Sequence, residues 1–134
     1  MAVAFVDTVA WIALSNTRDS LHTLAGEVFN KLWEDDTEFL TSEFVLLELA
    51  NALSSSTVRT RTATFIRSLN SSSIEIVPSS TVLFHKGLEL FENRSDKDWS
   101  LVDCTSFVIM TERNITKAFT QDHHFGQAGF TVLL

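Results

Sequence analysis

The chain has 134 residues, the length of one ordinary domain, and its 45% apolar content, with eleven Phe and three Trp, can fill a core without disulfides or structural zinc. A net charge of −7 argues against a protein that simply coats nucleic acid, since such proteins carry a basic face, although acids gathered around cations would weaken that objection. The lone Cys104, the lack of a signal-peptide pattern and the lack of any apolar run near the ~18 residues of a membrane span lead to the expectation of one soluble, cytoplasmic domain over residues 1–134.

Val3–Val6 is a continuous apolar run and reads as a buried strand, followed by a short helix over Thr8–Leu14. Leu21, Leu24, Ala25, Val28, Phe29, Leu32 and Trp33 recur at helical spacing and predict an amphipathic helix over Ser20–Glu34. Glu38–Thr41 is a short strand. Glu43–Leu53 is apolar on nearly every side, the mark of a buried helix. Thr57–Leu69 aligns Val58, Thr62, Phe65 and Leu69 on one helical face. Ile74–Val77 is a strand stopped by Pro78, and Ser80–Phe91 a helix with Phe84, Leu88 and Phe91 aligned. Ser100–Glu112 is a helix with an apolar middle, and Lys117–Gln121 and Thr131–Leu134 are the last strands. Ser54–Ser56 and Ser71–Ser73 read as helix-end connections. Strands alternating with helices imply an α/β fold with a mostly parallel sheet covered on both faces, where ligands bind beyond the carboxyl ends of the strands.

Acids collect where that rule points. Asp7 follows the first strand and Asp122 the fourth. Asp103 lies in the first turn of the helix before the fourth strand, and a right-handed crossover opens that turn at the same edge. Each of the three also has a structural reading: Asp7 and Asp122 as N-caps, and Ser100–Asp103 as a capping box. Glu48 sits inside the run Val45–Ala50 with no basic residue three or four positions away, so a buried carboxylate there needs a partner from elsewhere. A metal ion is one candidate, and Asn51, one turn on, shares its face. Carboxylates suit Mg²⁺ or Mn²⁺, which can activate water and stabilise phosphodiester oxygens during in-line attack.

These segments resemble the PIN-domain family. Phe5-Val6-Asp7-Thr8-Val9-Ala10-Trp11 is similar to the family's opening, Glu48-Leu49-Ala50-Asn51 to its acidic helix, and Asp96-Lys97-Asp98-Trp99-Ser100-Leu101-Val102-Asp103-Cys104 to a stretch common in bacterial members. Thr120-Gln121-Asp122-His123-His124-Phe125 is similar to the last motif, Thr-x-Asp-x-x-Phe. All four come in family order and span Asp7 to Phe125. The resemblance implies a three-layer α/β/α sandwich with a parallel sheet of about five strands. It implies Mg²⁺- or Mn²⁺-dependent RNA cleavage, a homodimer, and for VapC-like bacterial members a toxin silenced by an antitoxin protein. By motif position Asp7, Glu48, Asp103 and Asp122 carry over as metal ligands and catalytic residues, Asp98 as an accessory acid, and Thr8 and Thr120 as hydroxyls near the acids.

Other residues invite weaker readings. Arg59, Arg61 and Arg67 form the densest basic group and could contact phosphates, or form a solvated face. His123 and His124 read as exposed turn residues pointing different ways, unsuited to one shared metal. Cys104 reads as packed. Trp11, Trp33 and Trp99 read as core or edge residues, with Trp99 placed to stack a base. The alternative function is a non-catalytic interaction module on the same fold, against which four intact acidic motifs argue. A haloacid-dehalogenase-like phosphatase would need an acid at Val9, and no glycine-rich nucleotide loop is present.

Overall fold

The computed structural model describes residues 2–134. β1 (Val3–Val6) leads through α1 (Thr8–Ser15) and α2 (His22–Glu34) to β2 (Glu38–Ser42), and α3 (Glu43–Ala52) and α4 (Arg59–Asn70) lead to β3 (Glu75–Val77). α5 (Thr81–Asn93) and α6 (Leu101–Glu112) precede β4 (Lys117–Phe119), and the short α7 (His123–Gln127) precedes β5 (Thr131–Val132). The sheet has five strands in the order β3-β2-β1-β4-β5, every pairing parallel. This is the expected helix-flanked parallel sheet.

β1 is central. Ala4, Phe5 and Val6 are wholly buried, as a strand covered on both faces requires. Its register sets Val6 beside Phe119 of β4, and the Asp7 amide donates to the Phe119 carbonyl at 3.2 Å. The ends of the first and fourth strands therefore lie side by side at the carboxyl edge. Trp11 is buried one helical turn after Asp7, and its indole N–H donates to Thr41 Oγ1 at 3.1 Å. Thr41 in turn donates to the Val6 carbonyl at 2.9 Å, fixing α1 to the tips of β1 and β2.

Four expectations change. α5 does not bury the Phe84–Leu88–Phe91 line: Phe84 and Phe91 are exposed, and Leu83 and Gly87 are buried instead. Gly87 is the reason, because α6 comes so near that a Cβ there would sit 2.7 Å from Thr105 Cγ2 and 3.2 Å from the Thr105 amide nitrogen. α3 is not buried all round, since Leu47 is exposed and only Val45, Leu46 and Leu49 are fully covered. The last two strands are shorter than their apolar runs. β4 stops at Phe119 because Thr120 turns the chain, its Oγ1 accepting the Asp122 amide at 3.0 Å. The segment after Asp122 forms a five-residue helix rather than a bare turn.

Candidate metal centre

Asp7 occupies the N-cap position of α1 with extended backbone angles, yet its side chain caps nothing. It is 2% exposed, and its Oδ1 is buried with no hydrogen-bond partner. Oδ2 accepts one hydrogen bond, from the Thr120 hydroxyl at 3.1 Å. Burial pushes the Asp7 carboxyl up to about 7, and the charges of Asp103 and Glu48 push the same way. The Thr8 amide and the Thr120 hydroxyl offset only part of this. A carboxylate that neither caps its helix nor meets a basic side chain is expensive to bury, so the capping explanation of Asp7 does not hold.

The other acids are held individually. Thr8 Oγ1 donates to Glu48 Oε1, so the partner that Glu48 lacked in its own helix comes from the first turn of α1. Glu48 is half-buried. Asp103 is buried and completes a capping box: Ser100 Oγ accepts the Asp103 amide at 3.0 Å, and Asp103 Oδ2 accepts the Ser100 amide at 3.1 Å. Burial raises the Asp103 carboxyl, and the Asp122 charge adds to the rise against the lowering effect of the Ser100 amide. Asp122 caps α7, its Oδ1 accepting the His124 amide at 2.9 Å. For Asp103 and Asp122 the capping reading is thus geometrically true; Asp103 also stands in the electrostatic neighbourhood of Asp7, and Asp122 in that of Asp103. Among the described residues, no Lys or Arg forms an ion pair with any of the four acids.

His123 is exposed as expected, but His124 is not. His124 is half-buried, with Nδ1 3.2 Å from Asp103 Oδ2 and 3.4 Å from Asp122 Oδ1. His123 is exposed, its Nδ1 3.8 Å from the same Asp122 oxygen, and the two rings lie with centroids 4.4 Å apart. Capping draws the Asp122 carboxylate back over the start of α7, and both imidazoles stand against it. Nothing in the residue types marked His124 as a bridge between Asp103 and Asp122; only a helix starting directly after Asp122 could have shown it.

A family model described as PIN domain matches residues 4–131. The chain belongs to the PIN-domain family. This PIN domain is 31% identical over 128 residues to the 23S rRNA-specific endonuclease VapC20 of Mycobacterium tuberculosis, with 94% of each chain covered. It superposes on the crystal structure of M. tuberculosis VapC20, described as a sarcin-ricin loop cleaving toxin, with a TM-score of 0.83 at 27% identity, covering 97% of both chains. A chain in the structure of VapBC2 from Rickettsia felis, bound to a promoter DNA fragment, shares the fold with a TM-score of 0.70 at 15% identity, covering 97% of this chain and 96% of that one.

Elsewhere in this PIN domain, Asp98 is exposed at the loop before α6. Trp99 is 5% exposed, packed edge-on against Phe107 and covered by the Arg94 guanidinium at 4.9 Å, with its indole N–H donating to Gln127. A base has no access to that ring. Trp11 is core, whereas Trp33 is an edge residue with 56% exposure. Cys104 is buried, and burial raises its thiol to about 11, so it is packed and not nucleophilic. Arg59, Arg61 and Arg67 are exposed along α4. A concavity of about 810 Å³ is lined by Val3, Glu38, Glu75 and Ile115 at the amino edge of the sheet, opposite the acids. No described helix is long and apolar enough to cross a membrane.

Proposed function

We propose that this PIN domain, over residues 1–134, is a metal-dependent endoribonuclease that hydrolyses RNA phosphodiester bonds, and that it is the toxin of a VapBC-type toxin–antitoxin pair. The observation that carries the reading is Asp7: a buried carboxylate with an unpartnered oxygen, repelled by Glu48 and Asp103, with no cationic side chain to relieve it. An all-oxygen donor set of this kind fits a hard divalent cation such as Mg²⁺ or Mn²⁺. Asp7, Glu48, Asp103 and Asp122 would hold it, with Asp98 accessory at most. Bound there, the cation supplies a lowered pKa for water and charge neutralisation at the phosphodiester.

The chain's own groups prepare the site. Thr120 fixes one oxygen of Asp7 and leaves the other free. Thr8 anchors Glu48, and Ser100 fixes the orientation of Asp103 through the capping box. Burial strips water from Asp7, which strengthens its interaction with any cation that enters.

The likeness to VapC20, an enzyme named for cutting 23S rRNA, supports ribosomal RNA as the first substrate to test. A toxin requires a neutralising protein, so an antitoxin belongs to the same proposal. So does a homodimer, supported by Phe84 and Phe91, exposed seven residues apart on α5. Cytoplasmic residence follows from an RNA substrate. The non-catalytic alternative has no use for an unpaired buried Asp7. The test is incubation of pure protein with 23S rRNA and with mixed RNAs, in Mg²⁺, Mn²⁺ or chelator, followed by sequencing of the ends. Discrete metal-dependent ends are expected. Cleavage undiminished in chelator would overturn the metal mechanism, and no cleavage under any condition would favour the interaction module.

A further inference from the structure

Beside the four acids, and sharing Asp122 with them, one group of metal-type donors is drawn together. One ligand atom from each of Asp122, His123 and His124 lies within 4.8 Å of the other two. His124 Nδ1 lies 3.4 Å from Asp122 Oδ1, and His123 Nδ1 lies 3.8 Å from the same oxygen. Ligands bonded at about 2.0 Å around a tetrahedral ion stand about 3.3 Å from one another. Small side-chain rotations therefore separate this arrangement from a coordination sphere. Asp103 Oδ2, 3.2 Å from His124 Nδ1, brings a second carboxylate to hand.

We infer that Asp122, His123 and His124 form a binding site for a borderline divalent cation of the Zn²⁺ type, distinct in ligand chemistry from the all-oxygen centre. Two imidazoles and one carboxylate suit Zn²⁺, Ni²⁺ or Co²⁺, whereas Mg²⁺ and Mn²⁺ are served by carboxylate and water. His123 is the distinguishing ligand. It is exposed and meets the acids only through Asp122. The inference rests on the preceding reading in one respect, since Asp122 is shared. A Zn²⁺ ion held here takes Asp122 from the hard-cation set and so inhibits cleavage.

The test titrates metal-free full-length protein with Co²⁺ as a spectroscopic stand-in for Zn²⁺, reading visible absorption, then displaces it with Zn²⁺. The parent should develop the bands of nitrogen-ligated, low-coordinate Co²⁺ at one equivalent. His123→Ala and His124→Gln should each weaken binding by about tenfold or more, at least the loss that follows when a supporting residue of a metal site is removed. Asp7→Asn should retain the bands. In Mg²⁺-driven cleavage, the ratio of rates with and without Zn²⁺ should move toward one in His123→Ala. Parent-strength bands in both histidine variants, bands lost in Asp7→Asn alone, or no bands in the parent would each overturn the inference. Melting curves check folding, and His123, on the surface, decides the matter if His124→Gln does not fold. Histidine-dependent bands in a protein that cuts no RNA would sink the nuclease reading and leave the cation site standing.

Discussion

The Thr120 hydroxyl donates to Oδ2 of Asp7 at 3.1 Å, joining side chains 113 residues apart in the chain. The same Oγ1 accepts the Asp122 amide at 3.0 Å, so one hydroxyl orients two of the proposed ligands. Thr120→Val keeps the shape and removes both bonds. Stability should fall by about 1–3 kcal/mol, because buried polar partners are left unmade. Cleavage should fall about 10–100-fold, the usual loss for a residue that supports metal ligands. Thr120→Ser should restore both in urea denaturation and single-turnover assays. A Val variant with parent activity would remove Thr120 from the site.

Asp7→Asn should stabilise the metal-free protein at neutral pH. Below about pH 4 the Asp7 carboxyl is neutral in both folded and unfolded chains, and it imposes no penalty. From there to about pH 7 the unfolded chain releases a proton that the folded chain retains, because burial holds the group up at about 7. Stability is therefore lost as pH rises through that window and levels off above it. The variant should melt above the parent at pH 8 in chelator, by the equivalent of a few kcal/mol at most. The gap should close near pH 4, and all cleavage should be gone. A variant less stable than the parent at every pH would make Asp7 a structural residue.

Asp98→Ala should reduce cleavage only a few-fold, the modest effect of removing a solvated charge near a substrate path. Asp103→Ala should lose nearly all of it. Asp98 is exposed, whereas Asp103 is buried beside Asp7 and Asp122. Because Asp103→Ala also removes half a capping box, worth about 1 kcal/mol, folded fractions must be matched by calorimetry. Equal losses at the two positions would bring Asp98 into the ligand set.

Much of this architecture was legible because apolar runs and helical spacing report burial directly. Val3–Val6 was read to the residue, and α2, α3, α4 and α6 to within two residues at either end. Where local chemistry competes with hydrophobicity, the reading failed. Gln121 was assigned to a strand because nothing in the run Lys117–Gln121 announces that Thr120 will spend its hydroxyl on the Asp122 amide. The alignment of Phe84, Leu88 and Phe91 does not identify the buried face of α5, because an apolar stripe names large residues while the contact is built on Gly87, which the stripe skips. The four acids could be gathered on paper through motif and strand-end logic. Which of them caps and which does not could not, since Asp7 and Asp122 stand in the same local sequence relation to a following helix and only Asp122 caps.

Gly87→Ala should destabilise the protein without touching the acids. The added methyl would meet Thr105 Cγ2 at 2.7 Å and the Thr105 amide at 3.2 Å, so α5 and α6 must separate. Overpacking of this kind costs about 1–3 kcal/mol. Thr105→Ser, made in the Gly87→Ala background, removes the nearer clash and should recover part of the loss in a double-mutant cycle. Unaltered melting of Gly87→Ala would mean that the two helices do not approach this closely.

The strand order has a consequence for how the protein is made. β1 lies between β2 and β4, and its carboxyl tip becomes part of a site only when Thr120 and Asp122 arrive beside it. A ribosome delivers Asp122 more than a hundred residues after Asp7. Throughout that interval the nascent chain carries Asp7 but cannot assemble the proposed centre. A chain released early, or trimmed before β4, lacks both the strand that flanks β1 and the hydroxyl that orients Asp7. For a ribonuclease, such an order of assembly keeps every unfinished copy inactive.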